Sequence, residues 1–170
     1  RVRGKLGIAE TAPVAGCVAV FRPEKDLTTL VRAAEHVVKA LPEARFVLVG
    51  DGPKRVPLRR EIVSRGLEGT VMLSGFRHDI ADVLSAFDVS VLSSSVEALP
   101  VAFLESMATG LPLVGTRVGA LAELIEPERN GLLVPPHQPQ MLGEALVRVL
   151  GDLETARRWG AESRRRVAEQ

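Results

Sequence analysis

Short runs that are apolar at nearly every position recur along this chain, separated by longer segments with helical periodicity. No other feature constrains the fold as tightly. A strand with one face in water alternates apolar and polar residues, whereas a strand apolar throughout is buried on both faces. That is the condition of a parallel sheet covered by helices on either side. Six such strands are predicted, at 16–21, 46–49, 71–73, 89–92, 113–115 and 131–134. Helices are predicted at 27–40, 55–65, 80–87, 100–109, 120–125, 141–150 and 153–168. In the first of these, Leu27, Leu30, Val31, Ala34, Val37 and Val38 share one face, and Asp26 stands where an N-cap belongs. Pro100 in a first turn and Gly110 just past an end follow the usual asymmetry of helix termini. The expected fold class is α/β, a Rossmann-like, doubly wound, parallel six-stranded sheet with helices on both faces. Residues 1–13 read as a linker-like lead-in and residues 14–170 as the domain.

Composition narrows the function. A chain of 170 residues buries well over half of its unfolded surface and needs no disulfide or metal staple. Its single cysteine, Cys17, excludes a disulfide framework and a Cys-based zinc site and fits a reducing compartment. Net charge is +1, aromatic residues are 4% and Tyr is absent, so neither a basic field nor a stacking platform suggests a nucleic-acid partner. The longest apolar run, 14–21, is far short of a membrane span. Gly50-Asp51-Gly52 lacks the third glycine of a dinucleotide fingerprint, and there is no phosphate-binding P-loop and no nucleophile elbow. His36, His78 and His137 have no metal-ligand spacing and there is no Asp-x-Asp, so no metal is expected. Arg164, Arg165 and Arg166 read as a solvated helix face.

Open parallel sheets bind ligands beyond the carboxyl ends of their strands, so the site is expected in the loops at 22–26, 51–55, 75–79, 93–100 and 116–120. The segment 93–119 carries most of the chemistry. Glu97 lies in a loop after a buried strand, and Glu105 lies in the second turn of the next helix. Between them Leu99, Pro100 and Val101 form a helix start, where free N–H groups and the helix dipole favour an anion. A carboxylate accepts two O–H donors from vicinal hydroxyls. The combination suits a ligand with a phosphate and polyols on both sides of it.

These residues resemble the C-terminal domain of the retaining GT-B glycosyltransferases of family 4, the group 1 glycosyltransferases. The two glutamates are separated by seven intervening residues, and Glu105-Ser-Met-Ala-Thr-Gly-Leu-Pro-Leu-Val is similar to the family's E-A-M-A-x-G-x-P-V-V run. The resemblance continues through Arg22-Pro-Glu-Lys25, Phe46-Val-Leu-Val-Gly-Asp-Gly-Pro53, Gly75-Phe-Arg77 with Asp79, and Asn130-Gly-Leu-Leu-Val134, and it covers 14–150 in order. It implies a donor domain for a nucleotide-diphospho-sugar, with transfer that retains anomeric configuration and needs no cofactor or metal. Glu97 would contact the transferred sugar and Glu105 the ribose. Lys25 would contact the diphosphate, and Phe76 and Arg77 would line the base. The family's arginine about five residues before that lysine is replaced by Val20, with Arg22 the nearest substitute. The resemblance also implies an N-terminal acceptor-binding domain, absent from this chain, so that the chain alone binds donor and transfers nothing. It places the protein in the cytoplasm, with peripheral attachment at the inner membrane face carried by the missing domain. Two alternatives share the ligand class: a GT-B sugar-nucleotide 2-epimerase and a non-catalytic nucleotide-sugar-binding partner subunit.

Overall fold

The computed structural model describes residues 2–169. Its six strands form one parallel sheet in the order β3-β2-β1-β4-β5-β6. The strands are β1 Val14–Val18, β2 Arg45–Val49, β3 Val71–Gly75, β4 Val89–Leu92, β5 Leu113–Thr116 and β6 Gly131–Val134. The helices are α1 Val2–Lys5, α2 Leu27–Ala40, α3 Arg55–Ser64, α4 Ile80–Leu84, α5 Val101–Thr109, α6 Leu121–Leu124, α7 Pro139–Leu150 and α8 Leu153–Ala168. The chain winds outward from β1 through β2 to β3, then returns to the other side of β1 with β4. That reversal puts a topological switch point between β1 and β4, which pair through Ala15 with Val89 and Gly16 with Ser90.

The apolar strands serve two cores, as their composition requires. Ala15, Cys17, Phe46 and Leu48 point into the larger one, with Leu30, Val31 and Val37 of α2, Leu142 and Leu146 of α7, and Trp159 of α8. Val14, Val47 and Val49 point to the opposite face, against Val83, Leu84 and Phe87. Full burial of a side chain such as Leu30 or Val37 contributes about 1.5–3 kcal/mol. Burial also pushes the Cys17 thiol up to about 12, so it stays protonated and inert.

Three expectations are corrected. The lead-in at 1–13 is not linker-like where it is described. Leu6, Ile8 and Ala12 are buried in the second core. Arg3 donates to the carbonyls of Ala86, Glu10 and Ala12 and pairs with Asp88 at 2.9 Å. β1 starts at Val14 rather than Gly16, because Asp88 accepts from the Val14 N–H at 2.8 Å and anchors the strand there. Asp26 precedes α2, but its side chain caps no backbone N–H: the backbone is left-handed (φ 42°) and the carboxylate instead accepts from Thr29 Oγ1 at 2.7 Å.

Ion pairs dress the surface helices. Arg165 bonds Glu162 and Glu169, and Arg166 bonds Glu126, so much of the basic run on α8 is neutralised locally. Glu61 of α3 accepts from Arg32 of α2 at 2.9 Å and from Arg65 at 2.8 Å, and these bonds hold its carboxyl below the usual range. A carboxyl lowered by folding contributes stability that is complete above its unfolded value of about 4.3 and lost as pH falls through the folded value. Melting between about pH 6 and pH 3 is therefore expected to fall less steeply in Glu61→Gln than in the parent.

Candidate functional site

A cavity of about 580 Å³ opens at the carboxyl ends of the central strands, at the switch point. Its floor is apolar, formed by the ends of β1, β2 and β4 at Val18, Val49 and Leu92. Four of the five expected loops supply its walls. The loop after β1 brings Val20 and Lys25, and the loop after β2 brings Gly50 and Asp51. Phe76 and Arg77 come from the loop after β3, and Glu97, Leu99 and Pro100 from the loop after β4, followed by Val101, Ala102 and Glu105 of α5.

Lys25 and Glu97 meet at the centre. Lys25 Nζ donates to Glu97 Oε2 at 2.6 Å, with the glutamate side chain only 5% exposed. Ser94 Oγ donates to the same oxygen at 3.0 Å. A carboxylate this deep is tolerated because both a cation and a hydroxyl hold it. Its backbone is held as well. The Glu97 carbonyl accepts from the Ala120 N–H at 3.2 Å and lies 2.0 Å from where a Cβ on Gly119 would stand. The fifth expected loop, at 116–120, thus lines no part of the cavity but supports Glu97 from below.

The remaining expected residues divide. Glu105 is exposed, lines the cavity and has no ion pair among the described residues. Phe76 is 71% exposed at the rim, with its ring edge-on to His78. Arg77 is committed to Asp79 through bonds of 2.8 and 2.5 Å. That fork holds the Asp79 carboxyl below its ordinary range and fixes the loop. Asp51 acts as a turn former, accepting from the Gly52 N–H at 2.8 Å.

Two details differ from expectation. Arg22 does not reach the cavity. Phe21 is fully buried, and the Arg22 N–H closes a tight turn onto the Val20 carbonyl at 2.8 Å. The turn leaves Val20 facing the cavity and carries Arg22 to a separate shallow depression beside Lys54. At the start of α5, Pro100 has φ −83° and ψ 71°, an inverse γ-turn in which the Val101 N–H donates to the Leu99 carbonyl at 3.0 Å. Val101 therefore lines the cavity with its amide already engaged. The Leu99 and Ala102 amides have no backbone acceptor among the described residues. Motif reading missed Val18, Ala19, Val49, Ile80, Leu92 and Ala102, which carry no reactive group. The signal that locates most of them is their place at the ends of the central strands.

In open parallel α/β sheets the switch point, with helix N-termini facing it, is the general place where phosphate-bearing ligands are bound. Comparison with known proteins makes this specific. The family model described as glycosyl transferases group 1 matches residues 1–166, and the chain belongs to that family. N-acetyl-alpha-D-glucosaminyl L-malate synthase of Bacillus anthracis is 29% identical over 170 residues, covering 100% of this chain and 44% of that protein. The chain thus spans less than half the length of that curated relative. The crystal structure of Anabaena Alr3699/HepE in complex with UDP-glucose superposes with a TM-score of 0.92 at 27% identity, covering 99% of this chain and 47% of that one. The crystal structure of the C-terminal domain of the group 1 family protein LpcC from Francisella tularensis has a TM-score of 0.88 at 23% identity, covering 98% of this chain and 89% of that one. It shares the fold. Among the described residues no helix is long and apolar enough to cross a membrane.

Proposed function

We propose that the cavity binds a nucleoside diphosphate sugar and that this chain is the donor half of a retaining glycosyltransferase whose acceptor contacts lie in another part of the protein. The convergence of Lys25, Glu97 and Glu105 on one cavity carries the reading. The ammonium of Lys25 has three donors and spends one on Glu97, leaving two for the diphosphate. There it would offset the charge that grows on the leaving phosphate as its bond to the anomeric carbon breaks. Glu97 Oε2 holds both internal bonds, which leaves Oε1 for a sugar hydroxyl. Glu105, exposed in the second turn of α5, would accept both ribose hydroxyls. The Leu99 and Ala102 amides would donate to phosphate oxygens, and Phe76 and Arg77 would border the base. In this reading the cationic charge comes from the protein and no metal is required. The acceptor oxygen bonds to the anomeric carbon on the face that the diphosphate leaves, and its proton passes to the departing phosphate oxygen.

UDP and UDP-glucose are the first probes, since the Anabaena protein was crystallised with UDP-glucose. Calorimetric titration of Glu105→Ala is expected to show both ligands weakened alike by about 1.5–3 kcal/mol, the worth of a charge-assisted hydrogen bond. Glu97→Ala is expected to weaken UDP-glucose more than UDP. Unchanged affinity in the first variant would remove the ribose assignment, and equal losses in the second would remove the sugar contact.

A further inference from the structure

Three non-glycine residues among those described have left-handed backbone: Asp26 (φ 42°), Glu128 (φ 66°) and His137 (φ 58°). Two of the three touch each other. His137 Nδ1 lies 2.8 Å from Asp26 Oδ2, and because an ionised carboxylate only accepts, Nδ1 is assigned the hydrogen and donates. Glycine would occupy either position without steric conflict, whereas a residue with a Cβ is disfavoured there. The bond between the two side chains is what their presence adds.

The location of the bond gives it a consequence. Asp26 directly follows Lys25 and closes the short 3-10 turn Pro23–Lys25, its N–H donating to the Pro23 carbonyl at 3.1 Å. On one side this turn is tied to the loop after β4. Ser93 Oγ is 2.9 Å from the Lys25 carbonyl and 3.0 Å from that of Asp26, and the Ser95 N–H donates to the Glu24 carbonyl at 2.8 Å. That loop also carries Glu97, so those ties move with the site. The His137 tie comes from elsewhere, from the stiff turn between β6 and α7 that is bracketed by Pro135, Pro136 and Pro139. It also fixes Asp26 from its carboxylate, the oxygen already held by Thr29 of α2.

We propose that Asp26 and His137 are positioning residues, a side-chain latch that holds the Lys25 turn against the body of the domain. Its effect on affinity rests on the donor-binding reading above. Its effect on the order of the turn rests on the geometry alone.

The test compares His137→Gly, which relaxes the backbone and removes the ring, with His137→Asn, which tolerates left-handed backbone and restores a donor. Three quantities are read in the 170-residue chain: melting temperature, amide exchange at Lys25 and Asp26, and affinity for UDP, GDP and ADP. His137→Gly is expected to melt at or above the parent temperature, to exchange faster at those two amides, and to bind its nucleotide about fivefold more weakly. His137→Asn is expected to regain most of the affinity and protection. Parental exchange rates in His137→Gly, or an affinity within about twofold of the parent despite faster exchange, would overturn the proposal. Failure of the unmodified chain to bind any of the three would remove the donor reading, while the exchange comparison alone would uphold or overturn the latch.

Discussion

Lys25→Ala is expected to weaken nucleoside diphosphate binding by about 2–3 kcal/mol, roughly 30- to 150-fold, and also to lower stability. The two losses have different origins. The first removes an ammonium that spends one donor on Glu97 and keeps two for the ligand, whereas Arg77 is clamped by Asp79 and Arg22 lies outside the cavity. The second arises because Glu97, only 5% exposed, keeps one hydroxyl partner and loses its cation. An uncompensated carboxylate at that depth costs about 1–3 kcal/mol. A double variant, Lys25→Met with Glu97→Gln, separates them: removing both charges is expected to restore stability but not binding. Denaturant melts and titrations on the same samples check both arms. Recovered binding in the double variant would show that Lys25 acts only by neutralising Glu97.

Gly50→Ala is expected to cost about 3 kcal/mol or more in denaturant unfolding, the largest stability change proposed for a cavity residue. Two independent facts set the size. The backbone at Gly50 has φ 137°, where L-residues are strained. A Cβ there would stand 1.9 Å from the backbone oxygen of Ala19, which is itself tied by the Ala19 N–H to the Val49 carbonyl at 3.0 Å. No side-chain rotation relieves a backbone clash, so β1 and β2 would have to separate at their carboxyl ends, where the cavity forms. A loss below about 1 kcal/mol would mean that the two loops do not approach as closely as described.

Much of this molecule is legible in its residues, and the failures have physical causes. Apolar runs announce all six strands, although the edge strands β3 and β6 are only partly buried, and β4 and β6 match their expected limits. Boundaries set by long-range bonds were not. Asp88 fixes the start of β1 from 74 positions away, and no local pattern encodes that. The lead-in misleads because Leu6, Ile8 and Ala12 are too few and too unevenly spaced to show a period, although each is buried. Within the site, Lys25, Glu97 and Glu105 stand out by motif and do converge. Arg22 was legible as a cation but not in direction, because the turn at Phe21 reverses the chain just before it. Asp26 reads as a cap until its own neighbours, Thr29 and His137, take the carboxylate first. The apolar floor of the cavity is visible only once the sheet order brings β1 beside β4.

The central claim is that this domain holds a nucleoside diphosphate between Lys25 and Glu105. Isothermal titration of the 170-residue chain with UDP, GDP and ADP in turn tests it most directly. Saturable one-to-one binding of one base over the others, abolished or strongly weakened in Lys25→Ala, is the predicted result. Absence of saturable binding by any of the three at millimolar ligand, in a sample that melts cooperatively, would contradict it.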